Sequence, residues 1–490
     1  MAEPVCGATR RPPVVRTPTQ EYMRKGSRLS RMDPPVLPDR IHSAETNRLK
    51  EMTMVKEASH EDRLANISDT EEAVDEVERV KPYQAYLDAE LGIRDHWYPA
   101  FFSQELDEGE TIAEMRLGER IIFKRAGGRV YGVEDRCAHR GMAFSTKPEC
   151  YTENTITCWL HGFTYDVRDG KLVQILTEPG SNAIGKINLR SYPVEEHNGV
   201  VFVFIGDMDP PPPLKTDVQP KFWNAGLKFH PLMRHRINAN WRISAENGFD
   251  AGHIYAHRGA EIVSAMKIPL PLGTYSPNKE GVVVYDEEGP EPKGVVKLQG
   301  KDVQVWSAEI EGQMVVAANV DPNNPPEGAD LDVGLYMPCG LEVDWFPKPG
   351  MIHFEWYVPI DEHSHTYMIT QSQYCETEEE ERAFHEECDN VLGPLVWKIP
   401  ADQTAFPGDG PTWGFNNLDA VGRAGMEHVY ANEDWFNRER LYRPDYIIVR
   451  WRMVVAKHMR GIQKRGNFAN TNGWSPDGKG YSPGKAPGHW

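Results

Sequence analysis

Two short clusters of metal-binding side chains constrain this chain more than any other feature. Cys137 and His139 form the first cluster, Cys158 and His161 form the second, and 18 residues separate His139 from Cys158. A Rieske 2Fe–2S centre takes two thiolates on one iron and two imidazoles on the other. Two loops that each supply one thiolate and one imidazole meet this requirement, and a glycine after each cluster allows a tight turn around the sulfurs.

A structural zinc site is the alternative interpretation, because it can be built from the same two cysteines and two histidines. Zinc sites of this kind more often show a CxxC pair and an HxxxH pair, in which like ligands are neighbours. Here each cluster mixes the two ligand types, which favours the iron–sulfur centre. Such a centre carries one electron, so the pattern predicts redox chemistry.

A second group of candidate ligands lies further along the chain. Asp250, His253 and His257 are spaced i, i+3 and i+7, and the stretch Asn240–His257 is predicted to be a helix with all three on one face. Two imidazoles and a distant carboxylate form the 2-His-1-carboxylate set of non-haem Fe(II) oxygenases. Asp250 is expected to hydrogen-bond an imidazole N–H. The alternative is a polar helix face that binds another metal or none.

The carboxylate ligand of this second site has to come from elsewhere in the chain. Asp419 is our candidate because it begins a helix-like stretch, although a carboxylate in a first helical turn is also a favourable cap. His363, His365 and His428 are weaker candidates, since isolated histidines in turns are common. An iron with free coordination positions, in the same chain as a centre that relays electrons, predicts that one domain supplies electrons and the other uses them.

Composition argues against several classes of function. The chain has 490 residues and a net charge of −19, so we expect binding neither to nucleic acid nor to a membrane. Mean hydropathy is −0.57, and no apolar run approaches the roughly 20 residues of a membrane helix. The seven cysteines are few and odd in number, so the five outside the cluster are expected to be unpaired, in a reducing cytoplasm.

Shifts in composition divide the chain into segments. Residues 1 to about 50 are rich in Pro and Arg and poor in apolar residues, and an acidic helical stretch follows at Asp69–Val80. Short strands with turn signals come next, and four consecutive prolines begin at Pro210. The predicted segments are a disordered or extra N-terminal extension (1–80), a helix packing on the catalytic domain (81–93), a Rieske domain (94–208), a catalytic domain with the mononuclear iron (209–465) and a flexible C-terminal tail (466–490).

Several stretches are similar to one known family; they are Gly92–Pro99, Thr155–Trp159, Glu246–Tyr255, Phe354–Asp361 and Phe415–Asn417. From about Pro82 to Gln463 the chain resembles the terminal oxygenases of Rieske non-haem iron ring-hydroxylating systems, and within them the carbazole-type branch. The three residues between His253 and His257 fit that branch, whereas many ring dioxygenases have four. Residues 1–80 have little counterpart, and residues 261–335, which shape the substrate cavity in this family, match poorly.

The resemblance implies an α+β fold, with a small all-β Rieske domain and a larger catalytic domain whose antiparallel sheet is surrounded by helices (helix-grip type). It implies a Rieske 2Fe–2S cluster held by Cys137, His139, Cys158 and His161, and a mononuclear non-haem Fe(II) held by His253, His257 and Asp419. Asp250 resembles the residue that bridges a Rieske histidine of one subunit to an iron histidine of the next. The family members of this branch are homotrimers.

The resemblance also suggests a substrate pocket. Phe415 and Asn416 resemble pocket residues of the family. Trp345, Phe346 and Phe354 are further candidates, although ordinary core packing explains each of them equally well.

The expected reaction is dihydroxylation of an aromatic or N-heteroaromatic, carbazole-like compound with O₂, including angular attack at the carbon beside a heteroatom. The resemblance implies that electrons come from NAD(P)H through a separate reductase and ferredoxin, and the chain shows no dinucleotide fingerprint of its own. Three alternatives stay open from the residues: a monooxygenase or demethylase on the same scaffold, a Rieske electron carrier, and a zinc-stabilised binding protein.

Overall fold

Antiparallel β-sheet is the main element of this structure. The computed structural model describes residues 81–250, 252–266, 282–285, 292–296, 305–310, 313–318, 333–344, 346–397, 414–442 and 445–468. These residues belong to one compact unit, and the strand pairs among them are antiparallel. The predicted segment 1–80 and nearly all of 466–490 lie outside these ranges.

The smaller part of the described chain is built from three small sheets of short strands. One has the strand order Val194–His197, Val200–Ile205 and His96–Phe102; the second has Thr111–Arg116, Glu119–Ala126, Arg129–Glu134 and Ser191–Tyr192; the third has Thr155–Thr157, Phe163–Asp166 and Leu172–Ile175. Tight turns connect these strands. At Gly170, which has φ 75°, a Cβ would overlap the Leu189 carbonyl oxygen, so this turn requires glycine.

The larger part contains a seven-stranded sheet with helices packed on it. The strand order is Leu227–Ile237, Ser364–Tyr374, Met351–Asp361, Gly340–Asp344, Val333–Tyr336, Gln313–Ala318 and Val305–Ile310. Two further strand pairs are Val282–Tyr285 with Pro292–Val296, and Ile93–Arg94 with Gly461–Ile462. The α-helices are Gln84–Leu87, Trp241–Phe249, Glu261–Ala265, Glu378–Glu387, Gly393–Val396, Phe415–Tyr430, Trp435–Arg438 and Tyr446–His458.

Short helices of other types complete the described structure. The 3₁₀ helices are Ser103–Glu105, Phe144–Thr146, Leu214–Thr216, Pro220–Trp223, His253–Gly259 and Arg465–Asn467, and a π-helical turn covers Cys388–Leu392. Together these elements confirm the predicted α+β class, with an all-β part and an antiparallel sheet covered by helices. The domain limits themselves stay a prediction.

A fully apolar strand joins the two parts. All residues of Val200–Ile205 are buried, because the strand lies in the middle of its sheet and is covered on both faces. Phe202 extends from it towards the larger part, where its ring lies 5.8 Å from that of Phe222 and 6.4 Å from that of Trp356. The smaller sheet therefore shares an aromatic core with the seven-stranded one.

The predicted continuous helix over Asn240–His257 is wrong. The helix covers Trp241–Phe249 and begins at Asn240, whose side chain accepts a hydrogen bond from the backbone N–H of Arg242. It ends at Asp250, which has an extended backbone (φ −70°, ψ 116°), and the 3₁₀ helix His253–Gly259 follows. Asp250, His253 and His257 therefore do not share one α-helical face.

Two expectations about the chemistry of the chain can be compared with the structure. Cys339, Cys375 and Cys388 carry free thiols, as expected, but Cys150 is disulfide-bonded, so the expectation that it is unpaired was wrong. Within the described residues, every helix is too short or too polar to cross a membrane.

Candidate metal centres

The Cys-x-His loop and the Cys-x-x-His loop are closed by the same type of backbone hydrogen bond. In the first, the Gly141 N–H donates to the Cys137 carbonyl at 2.8 Å; in the second, the Gly162 N–H donates to the Cys158 carbonyl at 2.9 Å. Both glycines have positive φ, 77° and 71°. A Cβ at Gly162 would also lie 2.7 Å from the Leu176 Cβ. The glycine that follows each cluster is therefore needed for the turn itself.

The structure brings the four predicted cluster ligands together. The thiols of Cys137 and Cys158 are buried and hydrogen-bonded to each other, which raises the pKa of Cys137 and lowers the pKa of Cys158. The rings of His139 and His161 are 4.6 Å apart, and His139 is exposed at the surface. Two buried sulfurs on one side and two outward imidazoles on the other match the donor set of a Rieske cluster.

His253, His257 and Asp419 also converge. Their candidate ligand atoms all lie within 4.8 Å of one another. Asp419 Oδ1 is 3.5 Å from His253 Nε2 and 3.3 Å from His257 Nε2, so both imidazoles point towards the same carboxylate oxygen. His257 is buried, and within the described chain neither of its ring nitrogens makes a hydrogen bond. Buried nitrogens without hydrogen bonds, beside a carboxylate, suit a metal ion at this point.

The electrostatics of this group keep the carboxylate ionised. Burial alone would raise the pKa of Asp419, but the neighbouring His257 and the Arg423 guanidinium hold it well below its ordinary value. Burial also lowers the pKa of His253, which favours the neutral imidazole. An ionised carboxylate and a neutral imidazole are the protonation states in which these groups bind metals.

Asp250 contacts His253 through its backbone, whereas its side chain was expected to do so. The ring Nδ1 of His253 lies against the Asp250 carbonyl oxygen, and the Asp250 carboxylate accepts the Gly252 N–H at 2.7 Å. The backbone contact orients the ring so that Nε2 faces Asp419. The half-buried carboxylate of Asp250 points elsewhere.

Two of the predicted pocket aromatics line one side of the second group. The ring of Phe415 stacks on His257 with centroids 3.8 Å apart, and Phe346 lies 4.9 Å from Phe415. Phe354 is placed differently. It packs with Phe222, at 5.9 Å, on the opposite face of the sheet, because alternate residues of a strand point to opposite faces. We therefore withdraw Phe354 as a pocket candidate, and Trp345 lies outside the described residues.

Sequence reasoning missed a buried polar cluster beside the second group. Its centre is the Glu355 carboxylate, which accepts hydrogen bonds from His353 Nε2 at 2.9 Å, Asn416 Nδ2 at 3.1 Å and the hydroxyls of Tyr357 at 2.5 Å and Tyr367 at 2.8 Å. Burial would raise the pKa of Glu355, but the hydrogen bond and charge of His353, together with the charge of Arg423, lower it. The alternation of His353, Glu355 and Tyr357 with apolar residues in strand Met351–Asp361 was the signal available in the sequence.

Arg423 links this polar cluster to Asp419. Its guanidinium lies 4.5 Å from the Tyr367 ring centroid and 5.0 Å from that of Tyr357, and it is 3.8 Å from the Asp419 carboxylate. Its Nε donates to Asn247 at 2.7 Å, in the helix that precedes His253. Arg423 is fully buried, so it supplies a fixed positive charge between two buried carboxylates.

Comparison with known proteins finds a family match for each of the two parts of the chain. Residues 96–193 match the Rieske [2Fe-2S] domain family, and residues 204–463 match the family described as homotrimeric ring hydroxylase. The terminal oxygenase components of carbazole 1,9a-dioxygenase from Sphingomonas sp. and Metapseudomonas resinovorans are each 38% identical to the chain. The alignments cover 79% of this chain and 97% of the first relative, and 83% of this chain and 100% of the second.

Solved structures show the same similarity. The terminal oxygenase of carbazole 1,9a-dioxygenase from Novosphingobium sp. KA1 superposes with a TM-score of 0.63 at 38% identity, over 79% of this chain and 98% of that one. The oxygenase in a reduced complex with ferredoxin gives a TM-score of 0.66 at 34% identity, over 80% and 96%. The chain belongs to the Rieske-type ring-hydroxylating oxygenases, in the homotrimeric ring hydroxylase family.

Membership of this family confirms several predictions. The chain is a terminal oxygenase, an oxidoreductase of the Rieske dioxygenase type, and its cofactors are a 2Fe–2S cluster and a mononuclear iron. The electron-carrier and zinc-protein alternatives are thereby set aside. The individual ligand assignments stay predictions, and we take them up as proposals below.

The close packing behind the second group leads to a stability prediction. A Cβ at Gly248 would overlap the Tyr357 hydroxyl, so we expect Gly248→Ala to lower the free energy of unfolding by about 1–3 kcal/mol through overpacking. Gly425→Ala is the matched control, because a Cβ there meets nothing within 4 Å and alanine favours the helix by up to about 1 kcal/mol. Urea titration of both variants tests this. Equal stability of the two variants would contradict the packing described for Tyr357.

Proposed function

We propose that the chain inserts both atoms of O₂ into a flat aromatic or N-heteroaromatic compound of the carbazole type. One observation carries this proposal: a single chain presents a set of two sulfurs and two imidazoles on surface loops and a buried 2-His-1-carboxylate group beside an aromatic wall. The relatives that align over nearly their whole length are named as carbazole dioxygenase oxygenase components, which supports the substrate class.

We propose that Cys137, His139, Cys158 and His161 hold the Rieske cluster. The buried thiols supply the two sulfur ligands, and the hydrogen-bonded turns of their loops keep them at a fixed separation. His139 stacks on Phe163, with centroids 4.7 Å apart and the planes nearly parallel, so its orientation is set by packing. An exposed imidazole at the end of the loops gives the cluster a route to a partner protein.

We propose that His253, His257 and Asp419 hold the mononuclear iron. When bound, the cluster supplies single electrons and the mononuclear iron supplies oxygen activation. Two imidazoles and one carboxylate leave coordination positions free, which a fully ligated structural site would not. Phe415 and Phe346 exclude water on one side of the group and present flat surfaces against which an aromatic ring can stack.

We propose that the working enzyme is a homotrimer that receives electrons from a ferredoxin, which a reductase in turn supplies from NAD(P)H. The family description supports the trimer, and a solved relative was captured with its ferredoxin. In the trimer, the Asp250 carboxylate would hydrogen-bond a Rieske histidine of the neighbouring subunit, while its backbone carbonyl already holds His253. We further propose a cytoplasmic location, where NAD(P)H-dependent reductases can supply the electrons.

Turnover with labelled oxygen tests the proposed reaction. The purified chain, reconstituted with ferredoxin, reductase and NADH, should convert carbazole under ¹⁸O₂ to a product that contains two labelled atoms, measured by mass spectrometry. A product with a single labelled atom would indicate monooxygenation instead. Absence of carbazole consumption, with both metals present, would refute the substrate class.

Removal of the proposed carboxylate ligand tests the iron assignment. We expect Asp419→Ala to weaken binding of the mononuclear iron by more than about tenfold. Loss of a residue that only hydrogen-bonds to a metal ligand already lowers metal affinity by about tenfold, and Asp419 is proposed as a ligand itself. Iron analysis and the visible absorbance of the cluster give the two occupancies separately, and the cluster should be retained. Asp389→Ala is the control, because that side chain is 68% exposed and does not belong to the group of converging ligand atoms. Unchanged iron content in Asp419→Ala would remove Asp419 from the ligand set.

Neutralising Asp250 tests the proposed link between subunits. Asp250→Asn keeps the shape of the side chain and the backbone contact to His253, so both metals should stay bound while turnover falls by about tenfold or more. Stopped-flow reoxidation of the reduced cluster in the presence of substrate and oxygen measures the step directly. Asp445→Asn, which neutralises a buried carboxylate near Asp250, should keep a rate close to wild type. A wild-type reoxidation rate in Asp250→Asn would contradict the link.

A further inference from the structure

His365 is a fully buried histidine that uses only one of its two ring nitrogens. Its Nδ1 lies 2.8 Å from the backbone carbonyl oxygen of Ala239, which can only accept, so Nδ1 carries the hydrogen. The peptide with this carbonyl is fixed on its other side, where the Asn240 N–H donates to Glu427 at 2.7 Å. Nε2 of His365 makes no hydrogen bond within the described residues.

This second nitrogen is a hydrogen-bond acceptor. With the hydrogen on Nδ1, Nε2 of a neutral imidazole presents a lone pair. Burial lowers the pKa of His365 to about 3, and the positive charge of Arg423 contributes to the lowering, so the ring stays neutral. A buried acceptor without a partner is unfavourable. Nε2 therefore requires a donor.

Arg423 has an unused donor. Its Nε donates to Asn247 at 2.7 Å, and its Nη2 faces Asp419 Oδ1 at 3.8 Å. Its Nη1 is buried and, in the part of the chain that the structure describes, has no hydrogen-bond partner. The donors of a guanidinium lie in its plane, so an aromatic ring stacked on its face does not supply an acceptor for Nη1.

The unused donor and the unused acceptor lie beside the same two aromatic rings. The guanidinium carbon of Arg423 is 4.5 Å from the ring centroid of Tyr367 and 5.0 Å from that of Tyr357. The ring of His365 is 6.3 Å from that of Tyr367 and 6.2 Å from that of Tyr357. Both groups therefore pack against one pair of tyrosines.

The helix Trp241–Phe249 also borders both groups. Ser244 Oγ is 3.4 Å from His365 Nδ1, and Asn247, which accepts from Arg423, lies three residues further on the same helix face. A buried polar space with a donor on one side and an acceptor on the other suits a bridging water molecule.

We infer that His365 is a positioning residue for Asp419. Its Nε2 is joined through one water molecule to Nη1 of Arg423, and this link keeps the opposite end of the guanidinium directed at the Asp419 carboxylate. This inference rests on the proposed function, in which Asp419 is a metal ligand, and it adds the residue that holds the partner of that ligand. Loss of the link would let the guanidinium turn towards other acceptors and leave Asp419 less well oriented.

Two substitutions at one position separate the hydrogen bond from the packing. His365→Asn keeps a donor for the Ala239 carbonyl and removes the acceptor at the Nε2 position, whereas His365→Gln places an amide oxygen near that position. Isothermal titration of Co²⁺ into the trimer, with the mononuclear iron removed and the cluster retained, measures affinity without turnover. We expect His365→Asn to weaken Co²⁺ binding about three- to tenfold and His365→Gln to restore most of it. Equal losses in both variants would indicate a packing role and overturn the inference.

A double-mutant cycle tests whether His365 acts through Arg423. Arg423→Lys keeps the charge and removes the planar fork, so it breaks the link from the other side. In that background we expect His365→Asn to weaken Co²⁺ binding by less than about twofold further. Additive losses would show that His365 acts by another route and would overturn the inference.

A crystal structure of the wild-type trimer decides the question independently of how the variants fold. An ordered water within hydrogen-bond distance of both His365 Nε2 and Arg423 Nη1, or a direct bond between them, would establish the link. Hydrogen bonds of the two groups to separate partners would overturn it. The same Co²⁺ titration of Asp419→Ala distinguishes the two proposals: unchanged binding there refutes the ligand assignment, whereas lost binding there with wild-type binding in His365→Asn refutes the present inference alone.

Discussion

Desolvation of an ionised carboxylate is unfavourable unless charged or hydrogen-bonding groups surround it, and Asp419 meets this condition with groups from several elements. The imidazoles of His253 and His257 come from a 3₁₀ helix, and Arg423 comes from the next turn of the helix that carries Asp419. The same constraint explains why the helix Trp241–Phe249 ends where it does. A continuous helix would carry the histidines along its axis, whereas the break at Asp250 lets the following turn lie across Asp419.

The rest of the larger part supports this arrangement by holding a second negative charge nearby. Glu355 faces Asp419 across Asn416, and the two like charges are stable together because Arg423 stacks on the tyrosines that donate to Glu355. Each group in this cluster contacts at least one other buried polar group, so displacement of one member leaves another unsatisfied. The consequence is rigidity: the helix, the strand and the turn that form the site are connected by hydrogen bonds as well as by apolar packing.

The sequence predicted which candidate ligands would lie together better than it predicted their surroundings, for a physical reason. Cys137 and Cys158 each lie within three residues of a histidine, and a pattern of such near neighbours can be recognised from the sequence alone. The Glu355 cluster joins residues far apart in the chain, and its strand Met351–Asp361 is buried on both faces, so apolar periodicity does not reveal which face meets the iron site. That is why Phe354 was a pocket candidate, although the polar residues at 353, 355 and 357 mark the site face. The helix break at Asp250 was also hidden, because the i, i+3, i+7 spacing suits a continuous helix equally well.

The two centres need opposite surroundings, and the structure provides them. The imidazoles of the Rieske loops reach the surface beside the exposed Trp159 and Leu160, so an electron can enter or leave through contact with another protein. The 2-His-1-carboxylate group is buried behind aromatic rings, where water is excluded and a flat substrate can be held. A single small domain could not easily satisfy both conditions, because loops that expose two imidazoles cannot also enclose a substrate. Placing the centres on an all-β part and a helix-covered sheet separates electron delivery from oxygen chemistry, and the buried charges around Asp419 then serve the second task alone.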